Sequence, residues 1–299
     1  MTGRIPDFFI VGVAKCGTSA LFDYLSAHPS VFTGMKEPSF FCAEFDIPGA
    51  TRTLDDYLAL FANAPACALT GEASVNYFFS ESAISKIIAM NPQAKIIVML
   101  RHPVEAARSL HMHHLRVLDE DIEDFEEAWR AQPERAQGGR LPQKCNLPWR
   151  LQYGNLYRYG ERLKRVTAVV PPKQLHVLIF EEFFGDPAKN YAGVQSFLGL
   201  PPDGRLDFPA VNPALRNRSR ILARFLIHMP AIVKQTWGRV RRLAHPIGLH
   251  PNVILTTLNT TPIKKIPLTP GFRAELERFF ADDIAEVERL LGRHLEHWH

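Results

Sequence analysis

The sequence predicts an α/β fold in which a parallel sheet is flanked by helices on both faces. Strand-like apolar runs alternate with helix-like stretches, and a turn containing Lys15 and Gly17 follows the first apolar run. The 299 residues are 46% hydrophobic, which is enough to bury a large core. We expect a single domain over 1–299, with a core over 6–200 and a basic, mostly helical C-terminal extension over 201–299.

The predicted elements follow one another in the order typical of a parallel sheet. Strands are predicted over 8–13, 30–32, 68–72, 95–100 and 175–180, and helices over 18–26, 54–61, 81–90, 104–115, 149–166 and 187–197. Ligands bind at the carboxyl ends of parallel strands, so we expect the functional residues in the loops that follow them.

The first strand leads into a turn with the composition of an anion-binding loop. Gly12 and Gly17 allow the backbone to approach an anion, the next helix directs its free N–H groups at it, and Lys15 adds a positive charge. A Walker loop has Ser or Thr directly after its lysine to hold Mg²⁺, but here the hydroxyls of Thr18 and Ser19 come after Gly17. The order of residues therefore predicts a P-loop-like fold in which this loop binds an anion without a metal ion.

A second cation follows another predicted strand. The run 94–100 ends in Arg101, where a Mg²⁺-dependent nucleotide hydrolase commonly has an aspartate. Pro103 suits the first position of a helix, and Ser109 lies far enough along it to share an anion with Arg101. The sequence thus predicts two anion sites on one sheet.

These motifs resemble those of the sulfotransferases that use 3′-phosphoadenosine 5′-phosphosulfate (PAPS), especially the bacterial and glycosaminoglycan-modifying branch. Residues 15–19 resemble the 5′-phosphosulfate loop, and Arg101-His102-Pro103 with Ser109 resembles the 3′-phosphate motif. Residues 36–41 (Lys-Glu-Pro-Ser-Phe-Phe) are similar to the segment that supplies the base in the glycosaminoglycan branch. Residues 180–200 and 267–298 are similar to later elements of the family.

The resemblance implies transfer of a sulfuryl group to a hydroxyl or amine of a carbohydrate or other small acceptor, leaving adenosine 3′,5′-bisphosphate. It implies Lys15 and Glu37 as catalytic residues, and no metal is expected. The residues expected to bind the donor are Lys15, Cys16, Gly17, Thr18, Ser19, Ala20, Arg101, Ser109 and, in a late loop over 212–220, Arg218. Those expected to bind the acceptor are Lys36, Glu72 and Tyr77.

Other interpretations of the candidate base stay open at this stage. Glu37 can also be interpreted as a surface carboxylate that pairs with Lys36. Glu72 can be interpreted as a group that supports Lys15. Histidine is the base in sulfotransferases of phenols and steroids, so His102 and the cluster of His111, His113 and His114 are competitors. His111 and His114 are spaced so that both could bind one metal ion, but no third ligand is evident in the sequence.

Charge is unevenly distributed along the chain. Residues 118–135 hold eight carboxylates and two arginines, which predicts a solvated surface helix or a lid facing the acceptor. Residues 205–265 hold eleven Lys/Arg against Asp207 alone, which favours peripheral contact with an anionic surface or polymer. We expect no nucleic-acid partner. A P-loop nucleoside or nucleotide kinase and a non-catalytic protein that binds anionic surfaces are the alternative functions.

The four cysteines, Cys16, Cys42, Cys67 and Cys145, show no metal-ligand or disulfide spacing. Cys16 either has a lowered pKa at the helix N-terminus or simply fills a small position in the loop. The longest apolar candidate for a membrane span, 221–233, is broken by Arg224, His228 and Pro230, and no basic-then-apolar leader is seen. We expect a cytoplasmic protein, and the oligomeric state is left open.

Overall fold

The structure, a computed structural model, describes residues 4–143, 145–209, 215–227, 255, 257–262 and 267–299. Its centre is a five-stranded parallel sheet in the order β2-β3-β1-β4-β5. The strands are β1 Phe8–Gly12, β2 Val31–Thr33, β3 Leu69–Ala73, β4 Lys95–Leu100 and β5 Leu175–Ile179. The predicted α/β class, the sheet flanked by helices and the helical C-terminal segment are confirmed.

Among the described residues, α-helices lie between the strands of this sheet and continue after its last strand, β5. They are α1 Thr18–Ser26, α2 Leu54–Ala59, α3 Ala83–Met90, α4 Pro103–Val117, α5 Phe125–Arg130, α6 Gln132–Ala136, α7 Tyr153–Leu156, α8 Gly160–Val169, α9 Phe180–Gly185, α10 Pro187–Leu198, α11 Arg220–Ile227 and α12 Pro270–Leu291. Most predicted elements lie within two residues of an observed one, because their start and stop signals are local. In α10, for example, the Asp186 side chain accepts from the Lys189 N–H at 3.1 Å, and Gly199 ends the helix in the left-handed conformation.

The predicted helix over 149–166 is wrong as a single element. The chain instead forms α7 and α8, with Tyr157 and Tyr159 fully buried between them. The carboxylate of Asp283 on α12 accepts from the backbone N–H groups of Tyr159 at 2.6 Å and Gly160 at 2.9 Å. This distant carboxylate satisfies the donors that open α8, so the helix begins there.

The backbone contacts divide the chain into two compact units. The first consists of 1–107, 154–211 and 270–299 and contains the sheet, and the second consists of 108–153 and 212–269. The organisation as one domain stays a prediction. In the described part of the chain, no helix is both long and apolar enough to span a membrane.

The acidic segment 118–135, which belongs to the second unit, is not a solvated helix. Its centre is a fully buried ion pair in which Arg135 donates to both oxygens of Glu120 at 2.6 Å, and the Tyr153 hydroxyl donates to the same carboxylate at 2.8 Å. Together, the hydrogen bonds from Arg135, the Ile122 N–H and Tyr153 outweigh burial and lower the pKa of Glu120 to about 2. The segment therefore supplies part of the core of this unit.

The histidine cluster belongs to the same core. His111 and His114 are buried, and burial lowers the pKa of both, that of His114 to about 3. His111 Nε2 lies 2.8 Å from the carbonyl oxygen of Ile122. Both rings are packed inside the unit and almost no ring atom is exposed, so His111 and His114 are poorly placed to take a proton from an acceptor.

Most of the basic segment 205–265 lies outside the described residues, including Trp237 and positions 212–214 of the expected late loop. Its described parts include α11 and the antiparallel strands β6 Leu215–Asn217 and β7 Thr260–Pro262. Contact of this segment with an anionic polymer stays a prediction.

Candidate active site

Two loops meet at the carboxyl edge of the sheet, because β1 and β4 are neighbours there. The Arg101 guanidinium, which follows β4, donates to the backbone carbonyl of Lys15, which follows β1, at 3.3 Å. The hydroxyl of Tyr157 donates to Ala14 O at 3.0 Å, and that of Tyr159 donates to Arg101 O at 3.0 Å. The two predicted anion sites are thus parts of one structure, joined by two buried tyrosines that sequence reasoning did not identify.

The loop after β1 has the geometry of an anion cradle. Gly17 has a φ of 94°, and a Cβ there would lie 2.7 Å from the Phe184 ring, so the position requires glycine. Among the described residues, the N–H groups of Gly17, Thr18 and Ser19 have no hydrogen-bond partner. The first turn of α1 contains no acidic residue. Three free N–H groups at a helix N-terminus are a ready site for a phosphate.

Arg101 supplies the second part of the cradle. Its guanidinium packs over the Phe180 ring, 4.1 Å from the ring centroid, and its Nε lies 4.0 Å from Glu181 Oε1. Nε is buried and has no hydrogen-bond partner in the described chain, although the side chain as a whole is 15% exposed. Phe180 and Glu181 thus hold the cation in place next to the loop after β1, which fits a second anionic group beside the first.

Glu181 connects this cation to residues far along the chain. One of its oxygens accepts from the His102 N–H at 3.1 Å, and the other accepts from the indole N–H of Trp298 at 3.1 Å. The His102 ring is buried against Trp298, and burial lowers its pKa, so it is neutral near pH 7. Glu181 could have been found from the sequence, because it follows β5, the strand next to β4. Nothing in the sequence around Trp298 indicated that its indole contacts Glu181.

The segment with Glu37 is attached to the same edge of the sheet. The Glu37 N–H donates to Ala73 O at the end of β3, at 2.8 Å, and the Ser39 N–H donates to the Ser74 hydroxyl at 3.1 Å. Glu37 is half-buried and has a φ of 59°, and Lys15 has a φ of 66°. Both candidate catalytic residues therefore have left-handed backbone that non-glycine residues seldom adopt, and such residues cluster at functional sites.

Lys36 joins this segment to the anion cradle. Its ammonium donates to the hydroxyl of Ser19 in the first turn of α1. Lys36 therefore places a further positive charge next to the cradle. The sequence also allowed Lys36 to pair with Glu37 alone, and the contact with Ser19 differs from that interpretation.

Glu72 lies beneath the Glu37 segment and is fully buried. Burial raises its pKa to about 8, the nearby hydroxyls of Tyr77 and Tyr57 oppose the rise, and the charge of Glu37 adds to it. Neither Glu72 oxygen has a hydrogen-bond partner of ordinary geometry among the described residues. Tyr77 is also fully buried, so both side chains support the segment here and present no exposed atom to an acceptor.

Aromatic rings form the walls around Glu72. Phe40 stacks on Tyr57 with 4.5 Å between ring centroids, and Phe41 packs edge-on against Tyr77 at 5.6 Å and Phe9 at 6.0 Å. The two phenylalanines of the Lys-Glu-x-x-Phe-Phe segment thus anchor it to the sheet. Glu72, whose neighbours include Tyr57 and Tyr77, is fully buried, and this burial is the physical cause of its raised pKa.

The remaining predicted site residues are placed as follows. Cys16 is fully buried, and burial raises its pKa to about 12, so the thiol fills a small space beside Tyr159 and the lowered pKa is wrong. Ser109 lies on α4, and the exposed Arg218 donates its backbone N–H to Asn259 O at 2.6 Å. Both belong to the second unit, and their roles toward the donor stay predictions.

Comparisons with known proteins agree with this geometry. The family model described as "Sulfotransferase domain" matches residues 5–209. The chain is 32% identical to human bifunctional heparan sulfate N-deacetylase/N-sulfotransferase 3 over 208 residues, which are 67% of this chain and 23% of that protein. It is 30% identical to human heparan sulfate glucosamine 3-O-sulfotransferase 3B1 over 198 residues, which are 66% of this chain and 47% of that one.

A solved structure resembles the chain over nearly its whole length. The crystal structure of a sulfotransferase from Alicyclobacillus acidocaldarius superposes with a TM-score of 0.70, at 28% identity, and the match covers 99% of both chains. The chain spans about a quarter to a half of the length of the curated relatives given above.

Proposed function

Because the chain belongs to the sulfotransferase family, we propose that it transfers a sulfuryl group from PAPS to a carbohydrate hydroxyl or amine. The observation that carries the proposal is the contact between Arg101, which follows β4, and the loop that follows β1. A nucleotide with one phosphate on each side of its ribose needs two separate cationic sites, and Arg101 in contact with the Lys15 loop provides them. When bound, PAPS supplies the activated sulfuryl group and leaves as adenosine 3′,5′-bisphosphate.

The residues fit such a donor without a metal ion in the cradle. The free N–H groups of residues 17–19 bind the 5′-phosphate, and the Lys15 ammonium stabilises the negative charge that grows on the leaving oxygen. Arg101, which Phe180 and Glu181 hold in place, binds the 3′-phosphate. The fold already orients the N–H groups of residues 17–19 and the Arg101 guanidinium, so these groups need little reorganisation during the reaction.

Glu37 takes the proton of the acceptor in this proposal. The segment is attached to β3 on one side and, through Lys36, to the anion cradle on the other. A carboxylate at this position accepts the proton of a hydroxyl, or of a neutral amine, as the oxygen or nitrogen attacks the sulfur, which contributes about 10² to 10⁴ in rate. The protonated Glu72 beneath it keeps a second negative charge away from the base.

The acceptor class is proposed from the relatives, which are named for heparan sulfate. One relative is an N-sulfotransferase and the other a 3-O-sulfotransferase, so both an amine and a hydroxyl are candidate acceptors. Oligosaccharides with free glucosamine amines and their N-acetylated counterparts separate the two in a sulfate-transfer assay, with a simple phenol as the control acceptor.

Calorimetric titration with adenosine 3′,5′-bisphosphate in magnesium-free buffer tests the donor site, with ATP as the competing ligand. We expect saturable one-to-one binding of the bisphosphate that Mg²⁺ does not improve, together with transfer of labelled sulfate from PAPS to at least one oligosaccharide. Strict dependence on Mg²⁺, or displacement of the bisphosphate by equimolar ATP, would instead favour a nucleotide kinase. Tight bisphosphate binding without transfer to any acceptor would favour a non-catalytic role.

A further inference from the structure

Beyond the proposed active site, one group of side chains has the composition of a metal site. Helix α12 ends at Leu291, and Gly292, with a φ of 66°, reverses the chain. In the segment 292–299, Leu295 and Trp298 are buried while His294 and His299 are exposed. The buried pair anchors the segment, and the exposed pair faces Glu288 on the last turns of α12.

The three polar side chains converge on one point. His294 Nδ1 lies 2.7 Å from Glu288 Oε1, and His299 Nε2 lies 2.9 Å from the same oxygen. The two imidazole rings stack with 4.5 Å between their centroids, and one ligand atom from each of the three residues lies within 4.8 Å of the others. Within the described ranges, this is the sole group of three such residues that meets that distance.

The chemistry of the group suits a zinc-class ion. Two imidazoles and one carboxylate are the three protein ligands of many open zinc sites, in which water takes the remaining position. Ligand atoms about 2.0 Å from a tetrahedral zinc ion lie roughly 3.3 Å from one another. Here the two ring nitrogens lie 2.7 Å and 2.9 Å from Glu288 Oε1, and the three ligand atoms all lie within 4.8 Å of one another. The Leu295 N–H donates to Glu288 Oε1 at 2.7 Å and so orients the carboxylate, as a supporting hydrogen bond does at a metal centre.

We propose that Glu288, His294 and His299 bind one divalent transition-metal ion of the zinc class, with water completing its coordination. The ion joins the two ends of the segment 292–299 to α12. That segment carries Trp298, whose indole N–H donates to Glu181 beside Arg101. The bound ion thus attaches the segment to α12 and takes no part in the proposed transfer step itself.

Titration of the untagged, chelator-treated chain with Zn²⁺ tests the proposal by calorimetry, and Co²⁺ provides an absorption spectrum. We expect one ion per chain, with at least tenfold weaker binding in His294→Ala and in His299→Ala. Both histidines are about half exposed or more, at 61% and 49%, so these variants are expected to fold. The matched control is His297→Ala, an exposed histidine of the same segment outside the group, which should change the affinity less than twofold.

Hydrogen exchange tests the fastening separately. In the parent chain, Zn²⁺ should slow exchange at the amides of Leu295 and Trp298, which donate to Glu288 and to Leu295 O. The same addition should leave those amides unchanged in His294→Ala and His299→Ala. The proposal is overturned if the parent chain shows no saturable binding of one ion, if His297→Ala loses as much affinity as the other two variants, or if bound Zn²⁺ leaves these amides unprotected.

Discussion

The Arg101 guanidinium donates a hydrogen bond to the backbone carbonyl of Lys15 at 3.3 Å, so the cation that follows β4 is attached to the loop that follows β1. This contact makes two loops, which are 86 residues apart in sequence, into one cradle. It also directs the Lys15 backbone carbonyl toward Arg101 and away from the free N–H groups that begin α1. The cradle is therefore positive on both sides.

Replacement of Arg101 by alanine should weaken binding of adenosine 3′,5′-bisphosphate by about 10- to 150-fold, because a charge-assisted hydrogen bond contributes about 1.5 to 3 kcal/mol. Ser109→Ala should weaken it about two- to tenfold, since it removes a neutral donor. Lys15→Ala should weaken binding of adenosine 3′,5′-bisphosphate less than Arg101→Ala does, and its main effect should be a lower kcat. Calorimetry on the three variants measures the differences.

The matched control for Arg101 is Arg52→Ala, which removes a half-exposed arginine that pairs with Asp46. It should leave bisphosphate affinity unchanged. Equal losses in Arg101→Ala and Lys15→Ala would mean that the two phosphates have been assigned to the wrong loops.

Glu37→Gln should preserve the fold and bisphosphate affinity and reduce kcat by about 10² to 10⁴, because an amide has the shape of the carboxylate but cannot accept the acceptor's proton. Steady-state kinetics with the best oligosaccharide acceptor measures it, and Asp55→Asn on α2 is the surface control. Turnover within about threefold of the parent would place the base elsewhere, with Glu72 or His102 tested next.

Trp298→Phe should raise the KM for PAPS about three- to tenfold while kcat changes little, because it removes the indole N–H that holds Glu181 and leaves an aromatic ring in its place. The effect acts through Arg101, so it should disappear when the same substitution is made in Arg101→Ala. Trp129→Phe in the second unit is the control. An effect of Trp298→Phe on kcat alone would contradict a positioning role.

Glu72→Gln should flatten the dependence of stability on pH. The pKa of Glu72 is raised to about 8 in the folded chain, against an ordinary value of 4.5, so the folded state keeps a proton that the unfolded state loses. Its contribution to the free energy of unfolding therefore falls as pH rises from 4.5 to about 8. Urea unfolding at several pH values measures the slope, and an unchanged slope in Glu72→Gln would show that the carboxyl is ionised throughout.

Glu120→Gln should lower the free energy of unfolding by about 3 to 5 kcal/mol, because it leaves the buried Arg135 guanidinium without its counter-charge. The exposed pair Arg130 and Glu126 offers the control, and Glu126→Gln should cost less than about 0.5 kcal/mol. Since the pKa of Glu120 is lowered to about 2, its stabilisation is present above pH 4.5 and is lost as pH falls toward 2. A parent chain without this acid loss would contradict the assignment.

The sequence by itself determined the strand, loop and helix over 8–26 and the cation after β4. These signals are local, because an apolar run, a glycine at a left-handed position and the first residues of a helix each act within a few residues. The order of motifs along the chain was also sufficient for the fold class and the family. The predicted bounds of α1, 18–26, are those of the structure.

Only the tertiary structure decided what surrounds these motifs. The break between α7 and α8 depends on Asp283, and the support of Glu181 depends on Trp298, 117 residues further along the chain. The raised pKa of Glu72 and the burial of Glu120 depend on which groups exclude water from them. Desolvation and long-range hydrogen bonds arise when distant segments pack together, so no local pattern of residues predicts them.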